Sequence, residues 1–143
     1  MTDISLKSIA EKMKDIDVCM MTTVTTKGST SSRPMSNNRE VEYDGTSYFF
    51  AERDSLVATD IKNNDHVTLS AQHNKMLGAD TYISVSGKGK VITDRAQMEK
   101  HWNKDVEIYF KGGLDNPNIA MIEVKADHIK LWEGAKESEL TLH

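Results

Sequence analysis

Beyond residue 17 the chain is cut into short β-rich runs by glycine-bearing turns, and that rhythm admits few folds. Val18 to Thr26 and Thr30 to Asn37 flank Lys27-Gly28 and are rich in Thr, Val and Ser. Branching at Cβ restricts χ1 and favours extended backbone. Asp44-Gly45 lies between Glu40–Tyr43 and Thr46–Ala51. It carries the strongest hairpin signal, because both central residues of a type I′ turn need positive φ. His66 to Gln72 alternates, placing Val67, Leu69 and Ala71 on one face. Tyr82 to Thr93 predicts a long strand, bulged near Gly87 and Gly89. Ile119 to Lys125 and His128 to Trp132 close the series. About seven strands with such turns point to a small barrel.

Short helices are interspersed, which makes the class α+β. Leu6, Ile9, Met13 and Ile16 form one apolar stripe, predicting a helix over 4–16 capped by Asp3 or Ser5. Asp54 starts a second helix that runs to about Asn63. Asp94 with Gln97 resembles a capping box before a helix carrying Met98 and Trp102. Val106, Tyr109 and Phe110 suggest a further turn; Gly112-Gly113 and Pro117 interrupt the chain. The polar tail after Gly134 is expected to fray.

The 143 residues form one domain, 1–143, by the length rule. A net charge of −4 weighs against nucleic acid and anionic membrane as partners. No apolar run approaches the roughly eighteen residues of a membrane span. Lys7, Glu11, Lys12 and Lys14 interrupt any signal-peptide core. A lone Cys19 excludes an internal disulfide and fits a cytoplasmic setting. Between Val18 and Met20 its thiol is expected to stay protonated and inert.

Most catalytic constellations are missing. His66, His73, His101, His128 and His143 show no metal-ligand spacing, so no metal site is expected. No G-x-S-x-G elbow occurs, and Ser86-Gly87 lies in strand-like alternation. Gly87-Lys88-Gly89 lacks the spacing of a phosphate loop. Arg33-Pro34-Met35-Ser36 stands apart. Proline removes a ladder donor and is confined to strand edges or bulges, so the backbone of Met35 and Ser36 is placed to face a ligand. The Tyr48-Phe49-Phe50 run and a helix start at Asp54-Ser55 follow closely. A guanidinium, an aromatic floor and a helix N-terminus can together hold a planar, phosphorylated cofactor. Trp102, Tyr109, Phe110 and Trp132 either pack the core or cover a flat ring or a subunit interface.

Taken in order, these pieces resemble the general stress protein branch of the pyridoxamine 5′-phosphate oxidase-like, FMN-binding split barrels. The likeness runs through Met21-Thr22-Thr23, Arg33-Pro34-Met35, Tyr48-Phe49-Phe50 and Tyr82 to Gly87. It continues through His101-Trp102, Tyr109-Phe110, Gly112-Gly113-Leu114-Asp115 and Leu131-Trp132-Glu133-Gly134. The resemblance implies a mainly β, Greek-key split β-barrel with short flanking helices. It also implies a homodimer with FMN in the cleft between subunits. Arg33 would contact the flavin phosphate or ring edge, and Pro34, Met35 and Ser36 would run along the isoalloxazine. Phe50 and Ala51 would line the other side, Ser55 would bind phosphate, and Tyr82 and Trp132 would approach from the partner chain.

This chain departs from the family where Thr and then Ser-Arg-Lys are usual. Ala51 and Ser55-Leu56-Val57 stand there instead. Each lost charge-assisted hydrogen bond costs roughly 1.5–3 kcal/mol, so two weaken phosphate binding by about a hundredfold or more. Arg53 and Lys62 are the cations nearest in sequence. The expected function is a flavin-binding protein, as a flavin-dependent oxidoreductase tied to general stress rather than a true pyridoxamine phosphate oxidase. The alternatives are a non-catalytic flavin carrier and a cofactor-free dimeric scaffold with a degenerate phosphate site. For a heme ligand instead, His73 and His128 are the residues to test.

Overall fold

The computed structural model describes residues 2–37, 42–74, 78 and 80–142. Its elements are β1 (Thr2–Asp3), α1 (Leu6–Met13), β2 (Val18–Val24), β3 (Thr30–Ser36), β4 (Thr46–Glu52), α2 (Leu56–Asn63) and β5 (His66–His73). There follow β6 (Thr81–Ile92), α3 (Arg95–Glu99), α4 (Lys104–Glu107), a 3-10 turn (Gly113–Asp115), β7 (Ile119–Glu133) and β8 (Lys136–Thr141). Side chains cap the helices as their residue types favour. Ser5 accepts from the Ser8 N–H at 3.2 Å, and Asp94 accepts from the Gln97 N–H at 3.2 Å.

The strands form one sheet in the order β1-β8-β7-β6-β5-β2-β3, with β4 attached to β7. All pairings are antiparallel except β1 with β8. The barrel is split: among the described residues β3 pairs with β2 alone and β4 with β7 alone, so these two strands do not join. The core holds Ile9, Ile16, Met21, Val85, Ile122, Ile129 and Leu131, all at most 2% exposed. A smaller cluster of Ile92, Met98, Ile119 and Met121 lies beside Tyr48, Phe50, Trp102 and Phe110.

Three expectations change. Asp44-Gly45 turns the chain, with Gly45 at φ +103° and the Asp44 carboxylate accepting from the Thr46 N–H at 3.1 Å. It does not open a hairpin: Glu42 and Tyr43 are not strand, and β4 pairs with β7 instead. Glu40 and Val41 lie outside the described residues. Burial explains the choice of partner. Phe49 and Ala51 of β4 are buried opposite Ile122 and Ala120, in a stretch of β7 buried on both faces. Second, Ile119–Lys125 and His128–Trp132 are one strand of 15 residues. Third, most of the tail expected to fray is β8, with Ser138 buried and Lys136–Thr141 paired to β7.

The bulge falls at Gly87, as the glycine spacing suggested. Ser86 pairs with His128 and Gly87 with Ala126, so the register skips Asp127. A Cβ on Gly87 would stand 2.2 Å from the Lys125 carbonyl oxygen, a contact no side chain tolerates. The same point hands β7 from one neighbour to another. Its first half carries β4, its second half β8, and the Ala126 N–H donates to Gly45 while the Asp127 carbonyl accepts from Leu142. Among the described residues no helix is long and apolar enough to cross a membrane.

Candidate functional site

The split opens onto a cleft of about 940 Å³. Pro34, Met35 and Ser36 of β3 line one wall, and Thr46 to Phe50 of β4 line another. His101, Asn103, Val106, Ile108, Tyr109 and Phe110 form a roof, and Met13, Lys14, Asp17 and Val18 close one end. Asn37 ties that end together, donating to the carbonyls of Met13 and Ile16 at 3.1 and 2.9 Å. Among the described residues β3 is paired on one side alone, which leaves its other edge to offer backbone groups.

Aromatic contacts hold the roof on β4. The Tyr48 and His101 rings stack with centroids 3.5 Å apart and 15° between planes. Phe50 meets Trp102 edge to face at 4.9 Å, a favoured geometry for ring quadrupoles. Strand alternation places Tyr48 and Phe50 on one face of β4, with Phe49 inward. Burial, reinforced by Lys100, lowers the His101 pKa below its usual value, against the pull of Glu123 and Asp44. Burial, Glu123 and Asp44 raise that of Tyr48. The stack is therefore neutral at pH 7. Tyr43 is buried on the wall and its hydroxyl has no hydrogen-bond partner among the described residues. Burial and Asp44 hold that phenol protonated.

The pH response of the roof follows. The unfolded chain binds a proton on His101 near pH 6.5, the folded chain only at lower pH. Stability is therefore flat above that value and falls as the pH drops below it. Melting followed by tryptophan fluorescence should lose temperature between about pH 7 and pH 5. His101→Phe keeps a stacked ring and should flatten that slope; an unchanged slope would assign it to another group.

The anticipated site residues divide. Pro34, Met35, Ser36 and Phe50 meet in the cleft; Arg33, Ala51, Ser55, Tyr82 and Trp132 are not among its lining residues. Ala51 faces the core. The Ser55 hydroxyl caps α2, accepting from the Ala58 N–H at 3.3 Å and donating to the Glu52 carbonyl at 2.7 Å. Tyr82 and Trp132 are cross-strand neighbours on β6 and β7. Arg33 faces inward from β3, where its guanidinium donates to Thr23 Oγ1 at 2.7 Å and to the Met21 carbonyl at 3.3 Å. It also lies 3.5 Å from the Asp60 carboxylate. Asp60 is buried on α2 and accepts from Thr23 Oγ1 at 2.8 Å.

Elsewhere, the Cys19 thiol is buried, which pushes its pKa up to about 11. Both His128 ring nitrogens are engaged, Nδ1 with Thr141 at 3.0 Å and Nε2 with Glu139 at 3.1 Å. His73 ends β5, away from the cleft lining. Sequence reasoning missed His101 as a site residue and singled out Phe50 alone from the Tyr48-Phe49-Phe50 floor. The alternation that selected Phe50 also selects Tyr48; His101 carried no comparable signal.

The fold and its open cleft define a split β-barrel with a ring-lined groove beside an unpaired strand edge. Residues 5–142 match the family described as pyridoxamine 5′-phosphate oxidase like, and the chain belongs to that family. A protein related to general stress protein 26 from Clostridium acetobutylicum has a similar structure. It superposes with a TM-score of 0.79 at 18% identity, over 96% of this chain and 94% of that one. General stress protein 26 of Bacillus anthracis gives 0.74 at 23% identity, over 97% and 100%. A heme binding protein of Mycobacterium smegmatis gives 0.72 at 12% identity, over 99% of this chain and 60% of that one. In sequence the chain is 27% identical over 85 residues to Protein bli-3 of Neurospora crassa. That match spans 54% of this chain and 39% of the longer protein.

Proposed function

We propose that this chain is a cytoplasmic, homodimeric flavin-binding protein whose β3/β4 cleft takes the isoalloxazine ring. The observation that carries this reading is the cleft itself, a free strand edge at Pro34–Ser36 beside Tyr48 and Phe50. Backbone groups of that edge suit the polar margin of a flavin, and the aromatic lining suits its faces. Family membership supports the same ligand class. A bound flavin supplies electron transfer, and the protein positions the ring and shields it from water.

The outer face of the sheet favours a second copy. Val18 and Met20 of β2 and Tyr82 of β6 are large apolar side chains left 41–49% exposed. Met20 pairs with Pro34 and Ser70, Ser70 with Ser84, and Tyr82 with Trp132. Small residues between larger ones make a flat patch suited to self-association. Tyr82 and Trp132 then reach the partner's cleft rather than their own.

Sedimentation at micromolar concentration, with a flavin titration on the same sample, tests the reading. A dimer that quenches flavin fluorescence to saturation is expected. Tyr82→Asp should give a monomer and weaken flavin binding by about tenfold or more. A monomeric parent chain, or full affinity in monomeric Tyr82→Asp, would end the shared-cleft assignment.

A further inference from the structure

Resting on the flavin reading above, we propose that the cleft selects the uncharged flavin, riboflavin or its bare ring system, over the phosphorylated form. A phosphate needs fixed cations or unopposed donors, and those of Arg33 and of the Ser55 hydroxyl are already engaged. The Arg33 guanidinium is turned inward to Thr23, the Met21 carbonyl and Asp60. Its charge is balanced inside the fold.

The start of α2 offers little more. The Ser55 hydroxyl is spent on the cap. The next two side chains are Leu56, 79% exposed, and Val57, buried in the core. Arg53 Nε donates to the Ile119 carbonyl at 2.9 Å, and the Asp54 carboxylate accepts from Asn118 at 3.0 Å. Across residues 52–57 one cation, Arg53, stands against two carboxylates, Glu52 and Asp54. That local field repels an anion.

Among the described residues the cleft lining adds little. Its charged lining side chains among the described residues are Lys14 and Asp17, of opposite sign. The remaining polar lining is uncharged, as in Ser36, Asn37 and Asn103, and the lowered pKa of His101 keeps its ring neutral at pH 7. The ring portion of a flavin fits such a lining; a dianion would lose its hydration without gaining a paired charge.

The experiment is a titration of the full chain with riboflavin, FMN and lumichrome, followed by flavin fluorescence and repeated on Leu56→Lys. Leu56 is exposed, so this variant folds as the parent does. Riboflavin should bind about tenfold tighter than FMN, with lumichrome close to riboflavin. Leu56→Lys should raise FMN affinity about tenfold and leave riboflavin unchanged. FMN binding as tightly as riboflavin or tighter, or an FMN affinity unmoved by Leu56→Lys, overturns the selectivity and leaves the flavin reading standing. Failure of all three compounds to bind removes both.

Discussion

Asp60→Ala should melt about 6–12 °C below the parent chain. Asp60 is 5% exposed and accepts from Thr23 while facing the Arg33 guanidinium. Removing one partner of a buried pair strands the other, at a cost of about 3–5 kcal/mol. The Arg33 side chain keeps 21% exposure, so the lower end of that range applies. For a domain of this size each kcal/mol moves the midpoint by roughly 2–4 °C or somewhat more. The cost arises from the stranded charge, so Arg33→Met with Asp60→Leu should recover most of the loss. Thermal melts of the single and double variants decide this. If Asp60→Ala melts with the parent, the network contributes nothing to the fold.

The second large effect is expected at Gly87. Gly87→Ala places a methyl group 2.2 Å from a backbone oxygen in the neighbouring strand. The obstacle is main chain, so no rotamer change relieves it. Overpacking commonly costs about 1–3 kcal/mol, and a clash with backbone belongs at or above the top of that range. Gly28→Ala is the useful contrast. Gly28 sits at φ +83° in the β2–β3 turn with nothing within 4 Å of an added Cβ. Only backbone strain, about 1 kcal/mol, opposes it. Denaturant titration should rank Gly87→Ala far below Gly28→Ala, and equal midpoints would contradict the close approach of β6 and β7.

Elements were readable in the sequence where their signals are local. The apolar stripe of α1, the threonine-rich β2 and β3, the cap at Asp94 and the bulge at Gly87 all fall where residue chemistry puts them. Pairing was readable for β2 and its returning strand β3 across Lys27-Gly28, but not over longer range. The Asp44-Gly45 turn is real, but whether a turn joins two paired strands depends on what else competes for the edge. Here Ile119–Lys125, far along the chain, takes the edge and sets Ile122 and Ala120 opposite the buried Phe49 and Ala51. The tail shows the same limit: a polar composition describes side chains, whereas β8 is held by backbone hydrogen bonds.

The candidate site divides in a similar way. Pro34 marked a strand edge, and β3 is an edge of the split. Arg33 drew attention through that neighbour, yet strand parity groups it with Met35 on the inward face. Asp60, on the same helical face as Val57 and Ile61, was the corresponding signal for an internal partner. Neither residue alone indicates the pair, because the connection runs through Thr23 on a third element.

The handover along β7 also bears on the order in which the barrel is made. During synthesis β4 leaves the ribosome early, with Phe49 and Ala51 ready to be buried. The residues that cover it, Ile119 to Lys125, arrive only after β5, β6 and the short helices have been made. Until then the barrel has a β2–β3 hairpin and a β5–β6 hairpin but no closing strand. The nascent chain thus carries an apolar strand in waiting, and its completion is a late, long-range event rather than a stepwise one.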